Sequence, residues 1–119
     1  MPSPRLAALL LCAFLLQDVV AADALPNDVL KYTERRDSCD HWRGEAGYDE
    51  ERKAEIDWAA CQSCPGSDSG LARLKAKYKS NAAVMARLAD YELRIEPLDA
   101  RARAKICKGV PKERPSSKK

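Results

Sequence analysis

Four cysteines constrain what this chain can fold into. Cys61 and Cys64 stand three apart in CQSCPG, with Cys39 upstream and Cys107 downstream. A fifth, Cys12, falls inside an N-terminal leader. That leader carries Arg5, then the unbroken apolar run Leu6–Leu16, then Ala22-Asp23-Ala24 in an A-x-A arrangement. This is the three-part order of a secretory signal peptide over residues 1–24, cleaved after Ala22 or Ala24. A membrane span needs about 20 apolar residues, and this run has 11 before Gln17 and Asp18. Cys12 follows Leu11, where a lipoprotein site wants a small residue, so it is read as lost with the leader. The expected mature chain, Leu25–Lys119, is 95 residues long. It is one small domain, exported to an oxidising compartment. Its four cysteines predict two disulfides. A domain this small buries a modest core, and each link restricts the unfolded chain by about 3 kcal/mol.

Three connectivities are possible. Pairing Cys61 with Cys64 closes a tiny loop and leaves Cys39 with Cys107. The other two tie the segment around Cys61–Cys64 to both ends of the domain and restrain more chain. Of these, the reading leans to Cys39–Cys64 with Cys61–Cys107. A geometric objection stands against it: in a simple antiparallel hairpin Cys39 faces the region of Lys53, about 15 Å short of Cys64. The pairing then requires the first two helices to cross steeply or the first to break near Cys39.

Two chemical uses of the cysteines fit less well. A redox-active C-x-x-C wants a helix N-terminus to stabilise the thiolate, whereas here a helix precedes the pair. A zinc site would have to complete Cys61 and Cys64 from Cys39, His41 and Cys107. Cys39 and His41 diverge by about 200° on a helix, so no metal or other cofactor is assigned.

Ala, Leu, Arg, Lys and Glu dominate, with little β-branched alternation, so the expected fold is all-α: a small bundle of four or five short helices. The first runs from Asn27, as N-cap, to about Arg43 and stops at Gly44, with Tyr32, Cys39 and Trp42 on one face. The second runs from about Asp49 to Cys64, with Ala54, Trp58 and Cys61 as its stripe and Pro65-Gly66 as its stop. The third spans about Ser69–Lys79 after a Ser67/Asp68 cap. The fourth spans about Ala82–Glu96, with Val84, Leu88, Tyr91 and Ile95 at amphipathic spacing. A fifth, Leu98–Lys108, would bury Leu98, Ala102 and Ile106. The disulfide-stapled domain is read as residues 25–108.

Charge is uneven. Leu25–Ala100 holds 12 Lys+Arg against 15 Asp+Glu, a net of −3, while Arg101–Lys119 holds 8 basic residues against Glu113, a net of +7. Residues 109–119 read as a disordered basic tail that would meet anionic lipid or polyanion. The acidic body argues against nucleic acid as a partner.

The run CDHWRGEAGYDEER holds the densest set of functional-looking residues: His41, Trp42, Arg43, Glu45 and Tyr48 form a possible binding surface. Asp37 lies four residues before His41 and is placed to orient it. Trp42 and Tyr48 are expected to pack over the turn between the first two helices. Catalysis by Cys39, His41 and an acid would need a free thiol, which a disulfide removes.

CDHWRGE, YDEER, the C-P-G at Cys64–Gly66, LARLKAKY and VMARLADYELRIE together resemble a family of small exported proteobacterial proteins, over about Leu25–Glu96. The resemblance covers Cys39 and Cys64 and so implies that these two pair; Cys61 and Cys107 stand outside it and would pair with each other. It implies a helical fold and a place in the cell envelope, secreted and periplasmic, and it implies no activity. Beyond Pro97 the chain departs from it.

The leading functional expectation is a non-catalytic envelope binding or accessory module, docking an envelope protein through an aromatic near Trp42 or Trp58. The alternatives are a thiol-redox protein using Cys61 and Cys64, and contact with lipid or polyanion through the basic tail.

Overall fold

The computed structural model describes residues 24–116. The expected signal peptide, residues 1–24, lies outside the described residues except for Ala24. Five helices follow in order: α1 Asn27–Arg43, α2 Glu50–Ser63, α3 Ser67–Lys77, α4 Ala82–Leu88 and α5 Ala100–Ile106. The fold is all-α, and two disulfides join Cys39 to Cys64 and Cys61 to Cys107. No helix among the described residues is long and apolar enough to cross a membrane.

The apolar core lies where α1, α3 and α4 meet. Val29, Leu71, Leu74, Val84, Leu88 and Tyr91 form it, with Leu25, Tyr32 and Tyr78 packed at its edge. Gly70 lets α3 come close to α1: a Cβ there would sit 3.1 Å from the Tyr32 ring. At its start, α1 is clamped to the end of α3 by Asp28, which accepts from Lys77 Nζ at 2.6 Å and Tyr78 Oη at 2.8 Å.

Helix α2 lies outside this core. The Cys39–Cys64 link joins α1 directly to its C-terminal end, with Cα atoms 4.9 Å apart. Beside that link the Arg35 guanidinium donates to the Pro65 carbonyl at 2.7 Å. The antiparallel objection is met without a break, because α1 is continuous. The connection 44–49 can reach about 20 Å, enough to carry the start of α2 past the end of α1 and bring its last turn against Cys39. The buried face of α2 is Ala59 and Ser63, not the expected Ala54–Trp58–Cys61 stripe; Ala54 is exposed. Small side chains are what a cross-linked close approach admits.

Helix caps follow the sequence in part. Asp49, Asn81 and Asp99 each accept a backbone N–H from the first turn of α2, α4 and α5. Asn27 does not cap α1; Pro26 holds that position. Gly44 ends α1 at φ −88° and does not use its left-handed freedom. Gly66 does, at φ 80°, turning the chain between α2 and α3.

The largest departure is α4, which ends at Leu88 rather than near Glu96. Tertiary bonds capture the backbone that a longer helix would have used. Arg36 Nη2 donates to the Glu92 carbonyl at 3.1 Å. Asp68 accepts the Ile95 and Glu96 amides at 2.9 and 3.1 Å. Glu96 in return accepts the Asp68 and Gly66 amides at 2.9 and 3.1 Å. This reciprocal clasp caps α3 with Glu96 in place of the expected Ser67/Asp68. Pro97 also disfavours helical geometry at Glu96.

Helix α5 is held from outside and has no buried residue. Leu98 is 73% exposed and Ile106 58%, against the expectation that both would be buried. Seven helical residues, three of them Arg or Lys and three Ala, present too little apolar surface to join the core. The Cys61–Cys107 link carries it instead.

Arg36 is the largest fully buried side chain. Its Nε meets both Asp40 oxygens at 3.0 and 3.1 Å, and Nη1 reaches the Tyr32 hydroxyl and Ser67 Oγ at 3.3 and 3.1 Å. Burial by itself lowers its pKa, but the hydrogen bonds it donates to Asp40 and Tyr32 turn the net shift upward, so the charge is kept. Arg36→Met is expected to cost about 3 kcal/mol, since it strands the acceptors of a buried charge network. Arg43→Met, on a part-exposed ion pair, should cost under about 1 kcal/mol. Urea unfolding of both variants checks the order, and equal losses would show that Arg36 carries no special weight.

The two disulfides should also differ in reach. Replacing Cys61 and Cys107 by Ser is expected to raise amide hydrogen exchange over residues 98–116 and leave α1, α3 and α4 protected. Replacing Cys39 and Cys64 should lower protection throughout α1–α3. Global loss of protection from the first pair would show that α5 is integral to the core.

Candidate functional site

A groove of two adjoining hollows follows α1. Its first hollow, of about 350 Å³, lies between α1 and α3. Lys31, Arg35, Arg36, Arg73 and Lys77 line it, with Asp28 as its carboxylate. Its second hollow, of about 410 Å³, lies between α1 and α2, with the Trp42 and Trp58 indoles and Glu34 along it. The two share Lys31, Arg35 and Ser63, which stand on the edge between them.

The cations in the first hollow are not equivalent. Arg36 is committed to its network, and Lys77 pairs with Asp28 at 2.6 Å. That pairing and the Tyr78 hydroxyl hold the Asp28 carboxyl below its ordinary value. Arg35 is bonded to a backbone carbonyl. Among the described residues, Lys31 and Arg73 have no ion-pair partner. Ser63 and Ser67 are buried along the floor; Ser63 Oγ donates to the Ala59 carbonyl at 2.8 Å, and Ser67 Oγ meets Tyr32 and Arg36.

Each indole is held by a cation. The Arg52 guanidinium lies 5.2 Å from the Trp42 ring centroid and bridges Glu45 and Glu55 at 2.8 and 2.7 Å. The Trp58 indole N–H donates to the Lys112 carbonyl at 3.2 Å. Arg114 lies 6.0 Å from the Trp58 ring and pairs with Glu55 at 2.6 Å. The segment read as a basic tail therefore lies against α2 at Lys112 and Arg114, and it braces Trp58.

Of the five residues singled out around the α1–α2 turn, His41, Trp42 and Glu45 lie together, while Arg43 and Tyr48 stand apart. Trp42 lines the groove. His41 is exposed, its Nε2 3.8 Å from Glu45 Oε1, with its ring edge-on to Trp42. Arg43 turns away to Asp40 and Glu92, at 2.9 and 3.1 Å. Glu45 serves Arg52. Tyr48 is 81% exposed and does not plug the turn. Asp37 does not orient His41 either; it accepts from Tyr91 Oη at 2.7 Å and pairs with Arg87 at 3.0 Å. Burial, and then the Asp37 carboxylate, push the Tyr91 phenol well above its ordinary range.

Cys61 and Cys64 take different partners, and the Cys61–Cys64 bond required by the redox reading is not formed. Cys39 is bonded to Cys64 and Asp37 is held by Tyr91 and Arg87, so the free-thiol Cys–His–acid arrangement is not assembled there.

Lys31, Arg35, Arg73 and Lys77 were not flagged by motif reading. A signal was present: Lys31 and Arg35 are four apart on α1, and Arg73 and Lys77 four apart on α3. Like charges at that spacing repel on a helix, and two such pairs ask for an anion. Comparison with protein families, with curated proteins and with solved structures finds no match to this chain.

The tail's hold on α2 is pH-sensitive. Hydrogen bonds from Arg114 and then Arg52 keep the Glu55 carboxyl below its ordinary value of 4.5. A lowered folded-state pKa means the contact is fully present above that ordinary value and is lost as pH falls through the lowered one. In a Trp42→Phe background, Trp58 fluorescence should change with a midpoint below pH 4.5. Adding Glu55→Gln should remove this transition and give the altered emission already at neutral pH; an unaltered transition in that variant would show that Glu55 does not hold the tail.

Proposed function

We infer that this protein is a non-catalytic binding or accessory module of the cell envelope, and that the groove along α1 is its docking face. One observation carries the reading: two indoles and two unpaired cations line two adjoining hollows along α1, supported by Arg36 and the Cys39–Cys64 link. Indoles and arginines are the side chains that anchor protein interfaces, and a groove fixed before binding loses little entropy on docking. Two disulfides in so short a chain fit an oxidising location, in keeping with the leader expected from its N-terminal sequence. The resemblance to small exported helical proteins supports the same location.

The test is site-specific photo-cross-linking in the producing cell. A photoreactive phenylalanine analogue at Gln62, on the groove, should give a discrete cross-linked product that Trp42→Ala weakens at least fivefold. The same analogue at Ala83, exposed on α4, should give none. Products from Ala83 alone, or none from Gln62, would overturn the reading.

A further inference from the structure

We propose that the occupant of this groove is an extended acidic peptide segment of a partner protein, with carboxylates in the α1–α3 hollow and an apolar or aromatic side chain between Trp42 and Trp58. The inference rests on the groove being the docking face, and it names the chemistry of what docks there.

Length is the first argument. The α1 residues lining the two hollows span Asp28 to Trp42, which at 1.5 Å per residue is about 21 Å. An extended peptide rises about 3.3 Å per residue, so about six residues fit. A single small anion would occupy only the first hollow and leave the indoles without a role.

Charge is the second. The folded body is net negative, 12 Lys+Arg against 15 Asp+Glu over Leu25–Ala100. Five cations nevertheless line the first hollow, facing Asp28 as its carboxylate. Lys31 and Arg73 stand on opposite walls, α1 and α3, with no ion-pair partner among the described residues. A carboxylate between them gains two charge-assisted contacts without breaking an existing pair. A membrane surface or a long polyanion would instead meet the whole acidic body and be repelled beyond the groove.

Asymmetry is the third. Arg36, Arg73 and Lys77 line only the first hollow and the indoles only the second, with Lys31 and Arg35 on the shared edge and Glu34 beside the second hollow. Glu34 disfavours a carboxylate near the indoles and so sets the order of charges along the occupant. Trp58 is held in place by the Lys112 carbonyl and Arg114, so the indole end of the groove is formed before anything binds.

The experiment uses the oxidised protein and a synthetic ten-residue peptide of Glu and Asp with one terminal Phe, followed by tryptophan fluorescence and calorimetry. The peptide is expected to bind and to shift the tryptophan emission, with affinity falling as salt rises. Lys31→Glu combined with Arg73→Glu should weaken binding at least tenfold. Lys79→Glu combined with Arg101→Glu, the same change in net charge at exposed positions off the groove, should alter it less than about twofold. Circular dichroism confirms that both double variants remain folded. The same peptide with Phe replaced by Gly should bind at least threefold more weakly and leave the emission unshifted.

No binding at millimolar peptide overturns the proposal. So does equal weakening by the two double variants, which would mean that only net charge is sensed. Binding of a sulfated polysaccharide or of phosphatidylglycerol vesicles in place of the peptide, lost in the groove variant, would also overturn it by assigning the groove to another class of anion. Groove cross-links at Gln62 together with absent peptide binding reject the acidic-peptide occupant and leave the docking face standing.

Discussion

The buried Arg36 guanidinium is the interaction on which the rest of this small structure depends. It sits on α1 and reaches Asp40 on its own helix, Ser67 at the start of α3, and the Glu92 carbonyl beyond α4. A charge removed from water is tolerated only when its donors are met, and that demand fixes three segments relative to one another. The guanidinium also lies 5.2 Å from the Tyr91 ring centroid, and Tyr91 packs edge-on against Tyr32. The polar network and the apolar core are thus the same piece of structure. Among the described residues no buried side-chain nitrogen or oxygen is left without a partner, which is the condition under which a network of this kind stiffens a fold.

Around that centre the molecule is graded outward. The α1–α3–α4 core is held by apolar burial, α2 by a disulfide and small side chains, and α5 by a disulfide with no buried residue of its own. Cross-links stand where core area runs out, as expected in a short chain. The same grading places the groove. Its α1–α3 wall belongs to the rigid core. Its α2 wall is pinned at Cys64, and the C-terminal segment steadies Trp58 at its far end. A docking face needs this kind of fixed support more than it needs a deep cavity.

Much of the architecture is legible in the residues. Helical periodicity located all five helices, and the second was expected to begin near Asp49, whose short acceptor side chain satisfies a first-turn amide locally. The disulfide pairs were also reachable, through chain-restraint and the resemblance, although antiparallel geometry argued against them. What could not be read was competition between local and distant partners. Tyr91 and Ile95 continue the α4 stripe on paper, but Asp68 and Arg36 take the backbone groups that would have extended the helix. Asp68 looked like a local cap, and instead it serves Ile95 and Glu96. Asp37 looked like a partner for His41, and the buried Tyr91 hydroxyl claims it. In each case a polar side chain had two acceptable partners, and burial chose the distant one.

The site divides in the same way. Trp42 and Trp58 were conspicuous as candidate contacts because large aromatics are rare in this chain, with two Trp among 119 residues. The cations beside them were not, because Lys and Arg are everywhere in it. Only the approach of α3 to α1, which Gly70 permits, sets Arg73 and Lys77 across from Lys31 and Arg35 and makes four ordinary surface charges into one cleft. The sequence by itself determined the helices, the use of cysteine as covalent support and the aromatic end of the groove, all of which follow from periodicity, residue count and composition along the chain. The tertiary structure alone decided where α4 ends, that α5 stays outside the core, and that the cations converge, because each of these depends on which partners compete for the same groups across distances that no local pattern encodes.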